Sequence, residues 1–185
     1  MAPKKIAVIL FNLGGPDTPA AVRPFLFNLF NDPDILEKPW PVRLFLAALI
    51  SSLRVPKARK IYAHLGGGSP LLANTKSQAD ALSRLLSEES SEYRVFIAMR
   101  YWNPRSDEAA QQVRDFDPDR IIILPLYPQF SKTTTGSSSR DWARAVRKAG
   151  LDTPTTTICC YPTAPGMVTA QAARITEALC DLGRD

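Results

Sequence analysis

The chain has 185 residues, and 23 Lys and Arg against 18 Asp and Glu leave a formal charge of +5 with the single histidine neutral. A chain of that length buries roughly 70% of its unfolded surface, enough for one ordinary domain, and 45% apolar with 22% charged residues is the balance of a globular protein. Disorder and collagen-like fibres are excluded, and so is a spanning helix, since the apolar run Leu44 to Leu53 (LFLAALISSL) has ten residues where a bilayer needs about 20.

At the N-terminus Lys4 and Lys5 precede the apolar Ile6 to Phe11 in the manner of a signal peptide. No small-residue cleavage site follows, and Leu13-Gly14-Gly15-Pro16-Asp17 reads instead as a strand entering a tight turn. The expected location is cytoplasmic. The three cysteines (Cys159, Cys160, Cys180) are odd in number and lack the spacing of zinc or redox motifs, so they read as reduced, structural thiols.

The first predicted strand is Ile6 to Leu13, followed by a helix over Pro19 to Phe30. A long insertion at about 18–92 comes next, well beyond the length of a simple crossover. It holds Pro33, Pro39 and Pro41, an apolar helix from Val42 to Leu53, the basic residues Arg54, Lys57, Arg59 and Lys60, then Gly66-Gly67-Gly68-Ser69-Pro70 and a helix from Asn74 to Leu86. Strands over Tyr93 to Met99, Arg120 to Leu126 and Thr155 to Tyr161 then alternate with helices over Arg105 to Phe116, Ser137 to Ala149 and Gly166 to Leu182. Ser137 is placed to cap its helix and Gly150 to end it. Near-continuous apolar strands are buried on both faces, which predicts α/β, a Rossmann-like parallel sheet with helices on both faces.

Open parallel sheets bind ligands outside the carboxyl ends of their strands. Here those loops are Leu13 to Asp17, Arg100 to Pro104, Tyr127 to Gly136 and Tyr161 to Pro165. With the helix start that follows they hold Arg100, Tyr101, Trp102, Tyr127, Gln129, Ser131, Thr133, Thr134 and Ser137. An arginine, aromatics and a hydroxyl-rich loop suit a flat, conjugated, acidic ligand; equally, polar loops and sheet-capping tyrosines need no ligand.

Leu13-Gly14-Gly15-Pro16 has neither the G-x-G-x-x-G spacing nor a Walker lysine, and Pro16 removes an amide, which argues against a nucleotide site. The triple glycine reads as a turn rather than an anion cradle. The hydroxyl run from Tyr127 to Ser139 either offers helix-start amides to a carboxylate or phosphate or is a capped loop. His64 has no acidic or cysteine neighbour in sequence, so it makes a poor catalyst, and multi-histidine metal sites are excluded. Glu88 with Glu89, and Asp107 with Glu108, read as solvated helix ends. The apolar helix and its basic flank, Val42 to Lys60, suit either an anionic membrane surface or packing under the insertion. Basic residues are too dispersed for a nucleic-acid surface.

Taken together, VILFNLGGPD, FLFNLFNDPDIL, YAHLGGGSPLLANT, AMRYWNP and LPLYPQFSKTTTGSSSRDW closely resemble the N-terminal lobe of the ferrochelatases, which insert Fe²⁺ into a porphyrin in haem biosynthesis. The resemblance implies two similar α/β lobes with the porphyrin in the cleft between them, the present chain supplying one lobe over 1–185 and the second being absent. It implies Leu13 beside the porphyrin, the Val42 to Arg54 helix in a lip facing the membrane, and Arg100 and Tyr101 near the metal-insertion site. Tyr127, Ser131 and Thr133 match the loop contacting the macrocycle and its propionates. Leu13 stands where some relatives have a tyrosine, so no phenolate metal ligand is expected there. Lys132 stands in the loop where certain members supply a cysteine to a [2Fe-2S] cluster, so no such cluster is expected and no cofactor is required beyond Fe²⁺ as substrate. The family's Ser-x-His histidine and its assisting glutamate belong to the second lobe, which leaves no catalytic residue and no metal ligand in this chain. The expectation is a ferrochelatase-derived chain acting on protoporphyrin IX or coproporphyrin III, with little activity alone. The alternatives are a non-catalytic tetrapyrrole-binding lobe and a chelatase for another metal such as cobalt.

Overall fold

The computed structural model describes residues 3–183. Met1, Ala2, Arg184 and Asp185 of the expected 1–185 lobe lie outside the described residues. Strands β1 (Lys5–Asn12), β2 (Glu92–Met99), β3 (Arg120–Pro125) and β4 (Thr155–Thr157) form one parallel sheet in the order β2-β1-β3-β4. Helices α1 (Val22–Phe30), α2 (Trp40–His64) and α3 (Leu71–Leu86) lie between β1 and β2; α4 (Ser106–Phe116), α5 (Ser137–Ala149) and α6 (Pro165–Leu182) follow β2, β3 and β4. This is the α/β, Rossmann-like arrangement that the apolar strands predict.

Side chains alternate along β1, so each face of this central strand meets its own helix layer. Ala7, Ile9 and Phe11 pack with Phe96 and Ile121 against Ala109, Ala110 and Val113 of α4 and Trp142 of α5. Two alanines let α4 lie close to the sheet, and the Phe11 and Trp142 rings meet at 6.0 Å in a tilted pair. Val8 and Leu10 face the opposite way, towards Ala79 and Leu82 of α3. Above the carboxyl ends of the strands α1 and α2 build a separate small core, in which Val22, Phe25 and Leu26 enclose Tyr101 beside Leu13 and Trp102.

Three features differ most from the sequence reading. Helix α2 does not stop at Leu53 but runs on through the basic stretch to His64. Lys and Arg are good helix formers; Pro41 sits in the first turn, where its missing N–H is harmless, and the helix continues through Pro56. The last strand is three residues, not the seven from Thr155 to Tyr161. β3 ends at Pro125, which has no N–H to donate, and beyond Thr157 only isolated bonds continue, from the Ile158 amide to the Ile123 carbonyl and from the Tyr161 amide to the Pro128 carbonyl. Ser137 does not cap α5: a π-helical turn over Lys132–Gly136 leads into the helix, and Ser131 caps that turn by accepting from the Thr133 amide. Gly150 ends α5 as expected.

The two glycine turns pack on each other, which favours the structural reading of the triple glycine. The Ser69 amide donates to the Pro16 carbonyl at 2.7 Å, and a side chain at Gly68 would run into the backbone of Asp17.

Helices α4 and α5 are tied at their outer surface by Arg144, which makes two bonds to Asp107 at 2.7 and 3.0 Å and also reaches Asp141. Asp107 is therefore an ion-pair partner between helices rather than a solvated helix end. Arg144→Ala is expected to lower stability by about 0.5–1 kcal/mol, the range for part-exposed ion pairs. The Arg144 bonds hold the Asp107 carboxyl below its ordinary value of 3.8. A depressed carboxyl contributes fully above its unfolded value and loses that contribution as pH falls through the folded one. Urea unfolding of the two proteins should accordingly differ at pH 7 and begin to converge only as pH falls below about 4.

Candidate functional site

The strand order places β2 and β3 on opposite sides of β1, so the chain leaves the carboxyl ends of β1 and β3 towards opposite faces and opens a crevice there. The backbone extends this edge past the strands. Arg100 N donates to Asn12 O and Tyr101 N to Leu13 O, both at 2.9 Å, and Leu126 N donates to Phe11 O at 2.8 Å. Asn12, itself buried, anchors the end of β1 by donating from Nδ2 to Thr75 Oγ1 on α3 at 2.9 Å and accepting from the Leu13 amide. Leu13, Arg100, Tyr127, Ser131 and Thr133 are half-buried along this edge.

Tyr101 is different, because its side chain is fully enclosed in the small core beneath α1. Its hydroxyl donates to Asp32 Oδ2 at 2.7 Å. Burial first, and then that bond, hold the phenol well above the ordinary tyrosine range. Arg100 lies over the Tyr101 ring, 4.9 Å from its centroid, and donates from Nη2 to Asp32 Oδ2 at 2.8 Å and from Nε to Ser137 Oγ at 2.6 Å. Ser137 in turn donates a hydrogen bond from its hydroxyl to Asp32 Oδ2. Its hydroxyl thus links the carboxylate to the guanidinium instead of capping a helix.

Tyr127 packs against the core under α5, with its hydroxyl 3.4 Å from Ser138 Oγ, and burial pushes the phenol up to about 12. Ser131 and Thr133 hydroxyls meet at 2.9 Å at the start of the π-helical turn. Lys132 between them pairs with Glu37, and Arg140 one turn into α5 pairs with Asp34. The segment after α1 therefore carries three acids, Asp32, Asp34 and Glu37, each matched to a base on the carboxyl edge. None was singled out from the sequence, where FNDPDILE offers only a loop with scattered charge; their partners lie far away in the chain, 68 residues in the case of Asp32 and Arg100.

His64 is exposed at the end of α2 with Nδ1 at 2.6 Å from the Lys60 carbonyl, and Glu88 and Glu89 are exposed beyond α3. Cys159, Cys160 and Cys180 are free thiols, exposed rather than packed in the structural role that the sequence suggests. Among the described residues no group of three or more His, Cys, Asp and Glu side chains gathers to hold a metal ion. What the edge does offer is a half-buried, fixed guanidinium, two neutral phenols, one enclosed and one half-buried, and a pair of hydroxyls beside the apolar Leu13.

Residues 5–185 match the family model described as Ferrochelatase. The chain is 55% identical over 175 residues to the ferrochelatase of Phenylobacterium zucineum (strain HLK1), covering 94% of this chain and 50% of that protein. It is 53% identical over 177 residues to the ferrochelatase of Caulobacter vibrioides (strain NA1000 / CB15N), covering 95% and 50%, and 50% identical over 180 residues to that of Pelagibacter ubique (strain HTCC1062), covering 96% and 52%. The chain spans about half the length of the curated relatives it matches.

Proposed function

The chain belongs to the ferrochelatase family, and we propose that its carboxyl edge holds a porphyrin as one wall of the site where Fe²⁺ enters the ring in haem biosynthesis. The observation that carries this reading is the gathering of Leu13, Arg100, Tyr127, Ser131 and Thr133, half-buried, along the crevice beside β1 and β3. Leu13 and Tyr127 supply apolar surface for a flat macrocycle, and the Ser131 and Thr133 hydroxyls supply polar partners for its carboxylates. Protoporphyrin IX and coproporphyrin III both have that chemistry.

Metallation requires the macrocycle to bend, two pyrrole N–H protons to leave and a dehydrated cation to arrive. Tyr101 and Tyr127 are neutral phenols near pH 7, and burial pushes their ionisation further up, while His64 stands exposed at the end of α2 against a backbone carbonyl. We assign the proton acceptor and the opposite wall to the half of the relatives that this chain does not span, and expect the chain by itself to bind porphyrin without metallating it. The loop at Ser131-Lys132-Thr133 offers hydroxyls and an ammonium paired with Glu37, not the thiolate that an iron–sulfur cluster requires, and we assign it no resident cofactor.

Fluorescence titration of the chain with protoporphyrin IX, followed by anaerobic addition of Fe²⁺ or Zn²⁺, tests both parts. Saturable binding with no metalloporphyrin spectrum above the uncatalysed rate is expected. Absence of binding overturns the site, and metallation overturns the missing base. Adding the remaining half of a relative then separates a catalytic lobe, whose activity returns, from a non-catalytic tetrapyrrole-binding lobe, whose activity does not. Competition with Co²⁺ and with coproporphyrin III sets the metal and the substrate.

The same reading gives α2 its place. Among the described residues no helix is long and apolar enough to cross a membrane. Val42, Phe45, Leu49 and Leu53 are nevertheless exposed on one face of α2, with Lys57 and Lys60 continuing it, and we assign this face to peripheral contact with the anionic surface of a membrane from the cytoplasmic side.

A further inference from the structure

Asp32 is the one acidic side chain of the site with no exposed surface, and four donors converge on it. Oδ1 accepts from the Asp34 amide at 2.8 Å. Oδ2 accepts from Tyr101 Oη at 2.7 Å, from Arg100 Nη2 at 2.8 Å and from Ser137 Oγ. Oδ2 carries three of these four bonds and the side chain has no exposed surface, so Asp32 does not meet a ligand of the edge directly. Its function has to pass through the groups it holds.

Those groups come from three places in the fold: the loop after α1, the carboxyl end of β2 and the first residue of α5. Arg100 is the only one of the three donor side chains that keeps exposed surface, 15% of its side chain. Its Nε and Nη2 are fixed by Ser137 and Asp32 and its plane lies over the Tyr101 ring, while Nη1 has no hydrogen-bond partner among the described residues. A guanidinium held on two of its edges is a preorganised donor, because little side-chain freedom is lost when a ligand takes the third. A buried ion pair is poor evidence for stability, since apolar side chains of the same volume serve as well. Its presence here is explained by geometry.

We propose that Asp32 is the positioning residue that fixes Arg100 against the ligand of the carboxyl edge. The inference rests on the porphyrin-binding reading above and adds to it a residue that touches no ligand itself.

The test is a double-variant cycle on protoporphyrin IX affinity, read by fluorescence on protein shown folded by circular dichroism. Asp32→Asn, which keeps the shape and removes the charge, is expected to weaken binding about tenfold, equal to roughly 1.4 kcal/mol. Arg100→Met is expected to weaken it at least as much. In the double variant the two losses should not multiply, because Asp32 acts only through Arg100. A purely structural Asp32 would lower the unfolding midpoint while leaving the affinity of the folded protein within about twofold, or would give losses that multiply; either result overturns the inference. If Asp32→Asn does not fold, Ser137→Ala takes its place, since it releases Arg100 Nε and leaves the ion pair. A several-fold loss that disappears in the Arg100→Met background supports the inference, and unchanged affinity overturns it. Wild-type protein that fails to bind protoporphyrin IX overturns the porphyrin reading instead, so the two failures are told apart.

Discussion

Replacing Gly14 with alanine is expected to lower stability by about 3–5 kcal/mol, the sum of backbone strain and overpacking. Gly14 follows β1 with φ +83°, a conformation that a side chain strains. An added Cβ would also stand 2.9 Å from the Trp102 amide nitrogen, 3.1 Å from Trp102 Cβ and 3.2 Å from Met99 Cβ. The first of these is backbone and cannot rotate aside. That backbone belongs to the segment whose amides at Arg100 and Tyr101 bond to the end of β1, so any shift that relieves the clash displaces Arg100 from Asp32 and Ser137. Gly66→Ala separates the two contributions, because Gly66 has φ +87° with nothing within 4 Å of the added carbon. It should lose only about 1–2 kcal/mol. Equal losses in urea unfolding would show that the close approach to Trp102 carries no weight, and protoporphyrin affinity should fall for Gly14→Ala alone.

The contrast between these glycines bears on how far a sequence can be read. Strand β1 is legible because both of its faces are buried, so Ile6 to Leu13 has almost no polar interruption, and the strand-end rule then leads to loops holding Arg100, Tyr101, Trp102, Tyr127, Gln129, Ser131, Thr133, Thr134 and Ser137, while Leu13 is picked out by the family resemblance. Their roles came from family resemblance rather than from pattern. The end of α2 was not legible, because the apolar run stops at Leu53 while the helix continues on the propensity of basic residues. The closing strand was overestimated, because Thr155 to Tyr161 has β-forming residues but its neighbour ends at a proline. Asp32 was hidden for a different reason. Its meaning lies in partners 68, 69 and 105 positions away, and nothing local distinguishes it from Asp34, two residues on. Ser137 reads as a cap because the cap pattern is local; the bonds it actually makes are not.

The second large effect is expected on α2. Lys57→Glu with Lys60→Glu should lower partitioning onto vesicles containing phosphatidylglycerol by about 100-fold, since each basic residue near an anionic surface contributes about 1 kcal/mol and the reversed charges are repelled. Phe45 is 67% exposed and Leu53 72%; with Val42 and Leu49 they follow three- and four-residue steps along a single helical face. Lys57 and Lys60 extend that line where the apolar residues stop. Arg54 and Arg59 contribute less, because Arg54 lies over the Phe30 ring at 5.3 Å and Arg59 donates to the Pro19 carbonyl at 3.0 Å, which ties both inward. An apolar stripe inserts shallowly and a basic flank meets headgroups, so the two parts answer to different variables. The paired charge reversal should leave the weaker binding to pure phosphatidylcholine unchanged, and raising salt to about 1 M should erase the difference between wild type and variant, since the screening length there is about 3 Å. Equal partitioning of wild-type protein onto anionic and neutral vesicles would remove the electrostatic half of this account. No binding to either would assign the exposed face of α2 to a protein surface instead.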